Sequence, residues 1–272
     1  MSPVNAHPFP IVDSHAHLFT RDMPLNDRPR HSPTYDFRLE DYLAVLDKNG
    51  VQYGVIAAAS PWSDYNDYII ESVRGNPRLR GTVIVRPSVE RYILELMKID
   101  GIVGVRLPFI GLSSLPDLTS FEYRKLFRRI ADLNWHAHVH IEGERLPEVM
   151  PALLASGMKI VIDHLGRVKR EDCPDSAGFR TMVSAAETGR VWIKASGPHR
   201  VRESVEILRL LAREVSDERL VWASDCPFVG EESLISYPET LDWLKEALPD
   251  PSTQRKVLST NAMTLYGFDN GR

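Results

Sequence analysis

The sequence predicts an α/β protein in which eight parallel strands close into a (β/α)8 TIM barrel, and three observations support this fold class. Short apolar runs alternate with longer amphipathic segments along the chain. Eight such runs are present, and eight strands close this kind of barrel. The 272 residues match the roughly 250 that the fold typically needs, so we expect one domain over residues 1–272.

The predicted strands are nearly continuous apolar runs that are rich in β-branched residues. Such runs are typical of parallel strands that are buried on both faces. They lie at residues 10–16, 51–59, 81–85, 102–107, 136–141, 159–163, 191–195 and 220–223. Because they alternate with helical patterns, they indicate consecutive βα units and a parallel sheet.

The predicted helices carry apolar residues at helical spacing. They cover residues 39–49, 120–134, 146–156, 179–188, 205–215 and 239–248. Gly50, Gly157 and Gly189 each follow one of these segments directly, at the position that a helix C-cap favours.

Two long segments after predicted strands, residues 19–37 and 109–119, have the composition of loops. Loops at the C-terminal ends of barrel strands build the active site, so we expect both segments to contribute to a lid. Segment 62–68 also follows a strand, and its polar and aromatic side chains could face a substrate. We favour a helix cap there, with Asp64 or Asn66 near the N-cap.

Composition and charge exclude several classes of protein. The net charge of −4 argues against a nucleic-acid footprint, and no apolar stretch reaches the roughly 20 residues of a membrane helix. Residues 1–10 lack the features of a secretory signal. The two cysteines, Cys173 and Cys226, lie far apart, which favours a reducing cytoplasm without disulfides. A homo-oligomer is compatible with the sequence.

Histidines and an aspartate recur at the ends of the predicted strands. His15 and His17 lie two residues apart at the end of the first strand, so they point to the same side. His140 is near the end of the fifth strand, His164 follows the sixth, and Asp225 follows the eighth. Because the C-terminal ends of barrel strands share one mouth, we expect these five side chains to converge there.

The fifth strand contains two further histidines, His136 and His138, on the same face as His140. They lie earlier in the strand and therefore deeper in the barrel than its mouth. We interpret both as hydrogen-bonded core histidines.

These residue types suit hydrolysis. Imidazole and carboxylate groups form zinc sites that leave one position open for water, and such an ion lowers the pKa of that water from about 15.7 to about 7. We assign His15, His17, His140 and Asp225 to the metal, and His164 to orienting the water or polarising the substrate. Asp225 could instead be the base that moves the proton.

At these residues the sequence resembles the amidohydrolase superfamily, and more closely its branch with 2-pyrone-4,6-dicarboxylate lactonase and related lactone hydrolases. The matching segments are 12–17 (VDSHAH), 104–107 (GVRL), 161–167 (VIDHLGR), 194–197 (KASG), 223–227 (ASDCP) and 261–267 (NAMTLYG). The resemblance spans nearly the whole chain. It implies a distorted, amidohydrolase-like (β/α)8 barrel that hydrolyses a cyclic ester.

The resemblance also implies residue roles. Asp225 would act on the hydrolytic water, with His164 as the second catalytic residue. Arginines would hold the carboxylates of a small anionic substrate, because a guanidinium group offers a bidentate fork. Arg106 and Arg167 match that pattern, and Arg200 matches it more loosely. The alternative for each is a structural ion pair, to which we give equal weight at Arg200.

One departure from that branch concerns the metal. The pyrone dicarboxylate lactonase works without metal and has no histidine where this chain has His140. Metal-dependent relatives, such as the carboxymuconate-semialdehyde decarboxylase group, do carry that histidine. We therefore expect one divalent ion, with zinc preferred and a metal-free site as the alternative.

Three functions stay open at the level of the sequence. We favour a lactonase that opens a carboxylated lactone in aromatic or sugar-acid catabolism. A metal-dependent decarboxylase on the same scaffold is the second hypothesis, and a non-catalytic binding barrel is the third.

Overall fold

A sheet of eight parallel strands forms the centre of the protein. The computed structural model describes residues 8–268, apart from the side chain at position 172. The strands are β1 (Val12–Ala16), β2 (Tyr53–Ala57), β3 (Leu79–Val83), β4 (Ile102–Pro108), β5 (His136–His140), β6 (Lys159–Ile162), β7 (Val191–Ala195) and β8 (Leu220–Trp222). They pair in chain order from β1 to β8, so the predicted (β/α)8 fold class is confirmed.

Helices follow the strands, and most of them connect one strand to the next along the outside of the sheet. They are α1 (Leu39–Lys48), α2 (Asp67–Val73), α3 (Arg91–Ile99), α4 (Phe121–Asp132), α5 (Leu146–Ala155), α6 (Ala177–Glu187), α7 (Ser204–Glu214), α8 (Tyr237–Ala247), α9 (Pro251–Arg255) and α10 (Asn261–Tyr266). All six predicted helices are present. Two further helices were not predicted: α2 has only seven residues, and α3 leaves the apolar residues Tyr92, Leu96 and Ile99 exposed.

The barrel closes between β1 and β8 through backbone bonds of site residues. The N–H of His17 donates to the carbonyl of Cys226 at 2.8 Å, and the N–H of Asp225 donates to the carbonyl of His15 at 2.9 Å. The pairing register shifts within β1–β2 and again within β3–β4, which distorts the barrel. Closure therefore brings the ends of the first and last strands to one rim.

A buried carboxylate reinforces this junction from below. Oδ2 of Asp13 accepts hydrogen bonds from Ser224 Oγ at 2.6 Å and from the hydroxyls of Tyr42 and Tyr237, each at 3.0 Å. Ser224 follows β8, while the tyrosines belong to α1 and α8. One side chain thus joins both ends of the barrel seam to two outer helices.

The segment after β2 has the predicted cap position but not the predicted cap bond. Asn66 is the N-cap residue of α2, yet its side chain does not cap the helix. Instead it accepts from the N–H of Ile84 at 3.1 Å and donates to the carbonyl of Ile84 at 2.8 Å. Its amide therefore ties this loop to the segment after β3.

None of the helices within residues 8–268 combines the length and apolar content needed to cross a membrane. Residues 1–7, which make up most of the N-terminal segment predicted to lack a secretory signal, lie outside the described residues.

Candidate active site

Four of the five predicted site residues form one cluster at the C-terminal mouth of the barrel, and the ring of the fifth, His140, packs 5.3 Å from that of His164. Nε2 of His15 and Nε2 of His17 are 3.2 Å apart. Oδ1 of Asp225 lies 3.7 Å from Nε2 of His15, 3.6 Å from Nε2 of His17 and 3.8 Å from Nε2 of His164. All four residues are buried, so their charges and dipoles act in a low-dielectric environment.

The two oxygens of Asp225 have different surroundings. Oδ2 faces Nε2 of His199 at 3.1 Å and accepts a hydrogen bond from Nε of Arg200. Oδ1 has no hydrogen-bond partner among the described residues. Burial opposes ionisation, but the charge of Arg200 and the hydrogen bond with His199 outweigh it and hold the pKa of Asp225 well below its usual range. One oxygen is anchored, and the other is an available anionic acceptor.

A fully buried lysine lies beneath His15. Nζ of Lys194 is 2.7 Å from Nδ1 of His15, 3.2 Å from Nδ1 of His138 and 3.0 Å from Oδ1 of Asp163. Burial lowers the pKa of Lys194 to about 8, although Asp163 opposes this shift. The predicted core hydrogen bond of His138 is thus present, whereas Nε2 of buried His136 has no partner among the described residues.

His17 has a defined tautomer. Its Nδ1 lies 2.7 Å from the carbonyl oxygen of Ala57, which can only accept, so the ring proton is on Nδ1. Nε2 therefore presents a lone pair to the site. Burial and the charge of Arg106 lower the pKa of His17 to about 4, so the ring is neutral at neutral pH.

The guanidinium group of Arg106 is held by contacts with other residues of the protein. Its Nη2 pairs with Oδ2 of Asp163 at 3.2 Å and faces Nδ1 of His140 at 3.2 Å, while Nη1 donates to the carbonyl of Ala58 at 2.9 Å. The structure thus contains the ion pair that was the alternative to substrate binding.

His140 points its buried, unpartnered Nε2 into the mouth but is outside the three-donor group of His15, His17 and Asp225.

An unusual turn positions the side chains that follow β6. His164, Leu165, Gly166 and Arg167 all have positive φ, at 50°, 52°, 64° and 48°. Such conformations cost energy in non-glycine residues, and they concentrate at functional sites. The turn places His164 against Oγ of Ser196 at 3.0 Å and brings Arg167 to the cavities above the barrel.

Two adjoining cavities lie above these residues. The inner cavity, of about 40 Å³, is bordered by His17, His164 and Asp225, and also by Trp62 from the segment after β2. Its volume suits about one water molecule. The outer cleft, of about 1090 Å³, includes residues of both predicted lid segments, among them Arg30 and Leu112. Arg167 and Arg200 line both cavities.

Sequence reasoning missed three residues of this region. Lys194 and His199 contact the cluster directly, and Arg30 borders both cavities. A lysine inside an otherwise apolar buried strand is a usable signal, since lysine is almost never fully buried without a partner. Nothing in the sequence pattern distinguishes Arg30 from the other arginines of its loop.

Comparison with known proteins agrees with this geometry. The model of a family described as amidohydrolase matches residues 12–268. The chain belongs to this amidohydrolase family.

Two curated relatives of this amidohydrolase are named as lactone hydrolases. It is 28% identical over 270 residues to a 4-sulfomuconolactone hydrolase of Rhizobium radiobacter, with 94% of this chain and 89% of the relative covered. It is 26% identical over 280 residues to a 2-pyrone-4,6-dicarboxylate hydrolase of Comamonas testosteroni, with 95% and 90% covered.

A solved structure of similar fold comes from Acinetobacter baumannii. That protein is named for 2-pyrone-4,6-dicarboxylic acid hydrolysis and was solved with citric acid bound. It superimposes on this amidohydrolase with a TM-score of 0.89 at 28% identity, covering 94% of this chain and 99% of that one.

The three-donor group of this amidohydrolase has the dimensions of a metal site. In a tetrahedral zinc site with bonds of about 2.0–2.1 Å, neighbouring ligand atoms are about 3.3 Å apart. The donor atoms of His15, His17 and Asp225 are 3.2–3.7 Å apart. The lone pair of His17 and the unpartnered oxygen of Asp225 also suit a cation. The residues therefore fit one divalent ion.

A second donor group lies deeper and already surrounds a cation. It consists of His15, His138 and Asp163. Nζ of Lys194 lies within 3.2 Å of a donor atom of each of them. The ammonium group thus takes the place that a second ion would need, so the described site suits one metal ion rather than two.

Proposed function

We propose that this amidohydrolase opens a carboxylated lactone by adding water to the ester carbonyl. The observation that carries the proposal is the carboxylate of Asp225. Arg200 and His199 fix one of its oxygens, while the other faces three histidines beside a cavity of about 40 Å³. The names of the curated relatives support a lactone as the substrate.

The reaction follows from this arrangement. A water molecule in the inner cavity attacks the ester carbonyl, and Oδ1 of Asp225 accepts its proton. The tetrahedral intermediate then collapses, the bond from the acyl carbon to the ring oxygen breaks, and that oxygen takes up the proton held by Asp225, while the new carboxylic acid releases its own proton to the solvent. The product is an open-chain hydroxy acid that carries a new carboxylate.

His164 stabilises the ester carbonyl oxygen in this step. Burial lowers its pKa to about 3, so the ring is neutral at neutral pH. Its Nδ1 is held by the hydroxyl of Ser196, which leaves Nε2 directed towards the cluster. With its proton on Nε2, the ring donates to the carbonyl oxygen as negative charge develops there.

The proposal includes one zinc ion, which would be held by His15, His17 and one lone pair of Asp225 Oδ1, so that the other lone pair of that oxygen would accept the proton of the water. Such an ion would polarise the carbonyl or lower the pKa of the water to about 7. Binding would require Nε2 of His15 to release its proton, and Lys194, whose pKa burial lowers to about 8, would pass a proton to Nδ1 so that the ring stays neutral. The metal-free alternative retains the same residues, with that proton shared towards Nε2 of His17.

The test combines a substrate panel with metal analysis. We expect purified enzyme to open carboxylated lactones, with one proton released per turnover and no carbon dioxide. Zinc should be present at one equivalent after expression in zinc-supplemented medium, and chelation should remove both metal and turnover. Release of carbon dioxide would favour the decarboxylase hypothesis, whereas ligand binding without turnover would favour a binding barrel.

The proposal also places the enzyme in the cytoplasm and in the catabolism of aromatic or sugar acids. Low cysteine content and the relatives' substrates support this assignment. Cell fractionation tests the first part. Growth of a deletion strain on aromatic or sugar acids tests the second, with loss of growth expected on the acid whose pathway supplies the lactone.

A further inference from the structure

Four guanidinium groups border the inner cavity, and they differ in what they contact. They belong to Arg30, Arg106, Arg167 and Arg200. Arg106 pairs with the carboxylate of Asp163, and Arg200 pairs with that of Asp225. Arg30 and Arg167 form no hydrogen bond or ion pair with any residue in the described part of the chain.

The two unpaired groups repel each other in the protein alone. Burial together with the charges of Arg30 and Arg200 lowers the pKa of Arg167. Burial together with the charges of Arg200 and Arg106 does the same for the pKa of Arg30. An anion between the two groups would replace this repulsion with charge-assisted hydrogen bonds.

Arg30 belongs to a loop that is fixed to the rest of the mouth. Asn26 donates from its side-chain amide to the carbonyl of Ser60 at 2.7 Å and from its backbone N–H to the carbonyl of Pro61 at 2.8 Å. On the other side of Arg30, the hydroxyl of Tyr35 donates to Glu232 at 2.9 Å. The loop thus holds Arg30 over the cavity from both sides.

We propose that Arg30 joins Arg167, whose role the family resemblance already implies, in a clamp for a carboxylate of the substrate, and that Arg30 thereby determines selectivity for charged lactones. This inference deepens the proposed function and rests on it for the substrate class. Both guanidinium groups border the outer cleft as well as the inner cavity. A lactone whose carboxylate sits in the clamp can therefore lie in the cleft with its ester carbonyl towards Asp225.

The kinetic test compares 2-pyrone-4,6-dicarboxylate with its dimethyl ester. Losing a charge-assisted hydrogen bond costs about 10- to 100-fold in affinity. We expect Arg30→Met and Arg167→Met to raise KM for the dicarboxylate by that factor, with little change in KM for the ester. Arg30→Lys should recover part of the loss.

Arg21→Met is the matched control, because Arg21 lies on the same loop and is among the lining residues of neither cavity. We expect it to change KM by less than about twofold, since its exposed guanidinium group is paired with Asp36 at the surface. Equal effects of Arg21→Met and Arg30→Met, or equal effects on the dicarboxylate and its ester, would overturn the clamp.

Citrate binding separates the clamp from the proposed reaction. Citrate is a suitable probe because the Acinetobacter baumannii relative was solved with citric acid bound. By calorimetry we expect citrate to bind the unmodified protein and to bind Arg30→Met at least tenfold more weakly. This result would support the clamp even if no lactone were hydrolysed. Unchanged citrate affinity in both clamp variants would refute it whatever the turnover.

Discussion

Nζ of Lys194 lies 2.7 Å from Nδ1 of His15 inside the barrel, and both side chains are fully buried. An ammonium group can only donate hydrogen bonds, so it makes Nδ1 the acceptor and leaves the ring proton on Nε2. That nitrogen faces the lone pair of His17 at 3.2 Å. A metal ion at this position therefore competes with a proton and is repelled by a nearby ammonium group.

Replacing Lys194 should change metal affinity and stability in opposite directions. We expect Lys194→Met to bind zinc about tenfold more tightly, since removing a buried positive charge beside the site removes its electrostatic repulsion of the ion. The free energy of unfolding should fall by about 3 kcal/mol, because Asp163 keeps only Arg106 as its cation. Competitive chelator titration and urea unfolding measure the two effects. Lys159→Met on β6 is the control, and weaker zinc binding in Lys194→Met would contradict this account.

Asp225→Asn should remove turnover while the fold persists. The amide cannot accept a proton from water, so we expect kcat to fall by roughly 100- to 10,000-fold. Steady-state kinetics on the best substrate of the panel, with circular dichroism as the check on folding, measures this. Asp242→Asn on the exposed face of α8 is the control. Turnover within about threefold of the unmodified enzyme would remove Asp225 from the mechanism.

The buried histidines should make the protein sensitive to acid. Burial lowers the pKa of His17 to about 4 and the pKa values of His136 and His164 to about 3, against 6.5 for an ordinary histidine. Below pH 6.5 the unfolded chain therefore binds protons that the folded protein excludes. The stability present above pH 6.5 is lost as the pH falls towards 4, by about 1 kcal/mol per pH unit for each such histidine. Melting temperatures between pH 7.5 and 4.5 measure this, and a flat profile would contradict it.

The sequence predicts the strands well because burial on both faces leaves a local signature in each of them. It also predicts the meeting of His15, His17, His164 and Asp225, since a closed barrel fixes where each strand ends. Their mutual distances follow from closure rather than from any local pattern, and the structure supplies them.

The partners of the arginines could not be predicted in the same way. Arg106 and Arg167 both follow patterns typical of carboxylate binding, yet the first is paired with Asp163 and the second is not paired with any described residue. The difference depends on side-chain packing between β4 and β6, and the periodicity and spacing of residues in the sequence do not determine that packing. Arg30 was missed because its position depends on how a long loop is anchored.

The left-handed turn after β6 should tolerate no side chain at Gly166. A Cβ there would lie 2.2 Å from Sδ of Met182, at a φ of +64°. We expect Gly166→Ala to lower the free energy of unfolding by about 1–3 kcal/mol through overpacking, and to lower kcat because His164 and Arg167 shift. Gly189→Ala is the control, since its φ is +74° but no atom lies within 4 Å of the added Cβ. Equal losses of stability and activity in both variants would show that backbone strain alone is responsible.

Arg106 should behave as a structural residue more than as a contact for substrate. Its guanidinium group lies between Asp163, the carbonyl of Ala58 and His140, and only 4% of the residue is exposed. Removing it leaves the buried carboxylate of Asp163 with Lys194 as its single remaining cation. We therefore expect Arg106→Met to lower the free energy of unfolding by about 3–5 kcal/mol.

The comparison with Arg167→Met makes this test decisive. Arg167 is partly exposed and has no described ion-pair partner, so its loss should leave stability within about 0.5 kcal/mol and act on KM instead. Urea unfolding of both variants, alongside KM for a carboxylated lactone, gives the two quantities. A stable Arg106→Met variant with a raised KM would reverse the assignment, because the pairing with Asp163 would then be dispensable for folding.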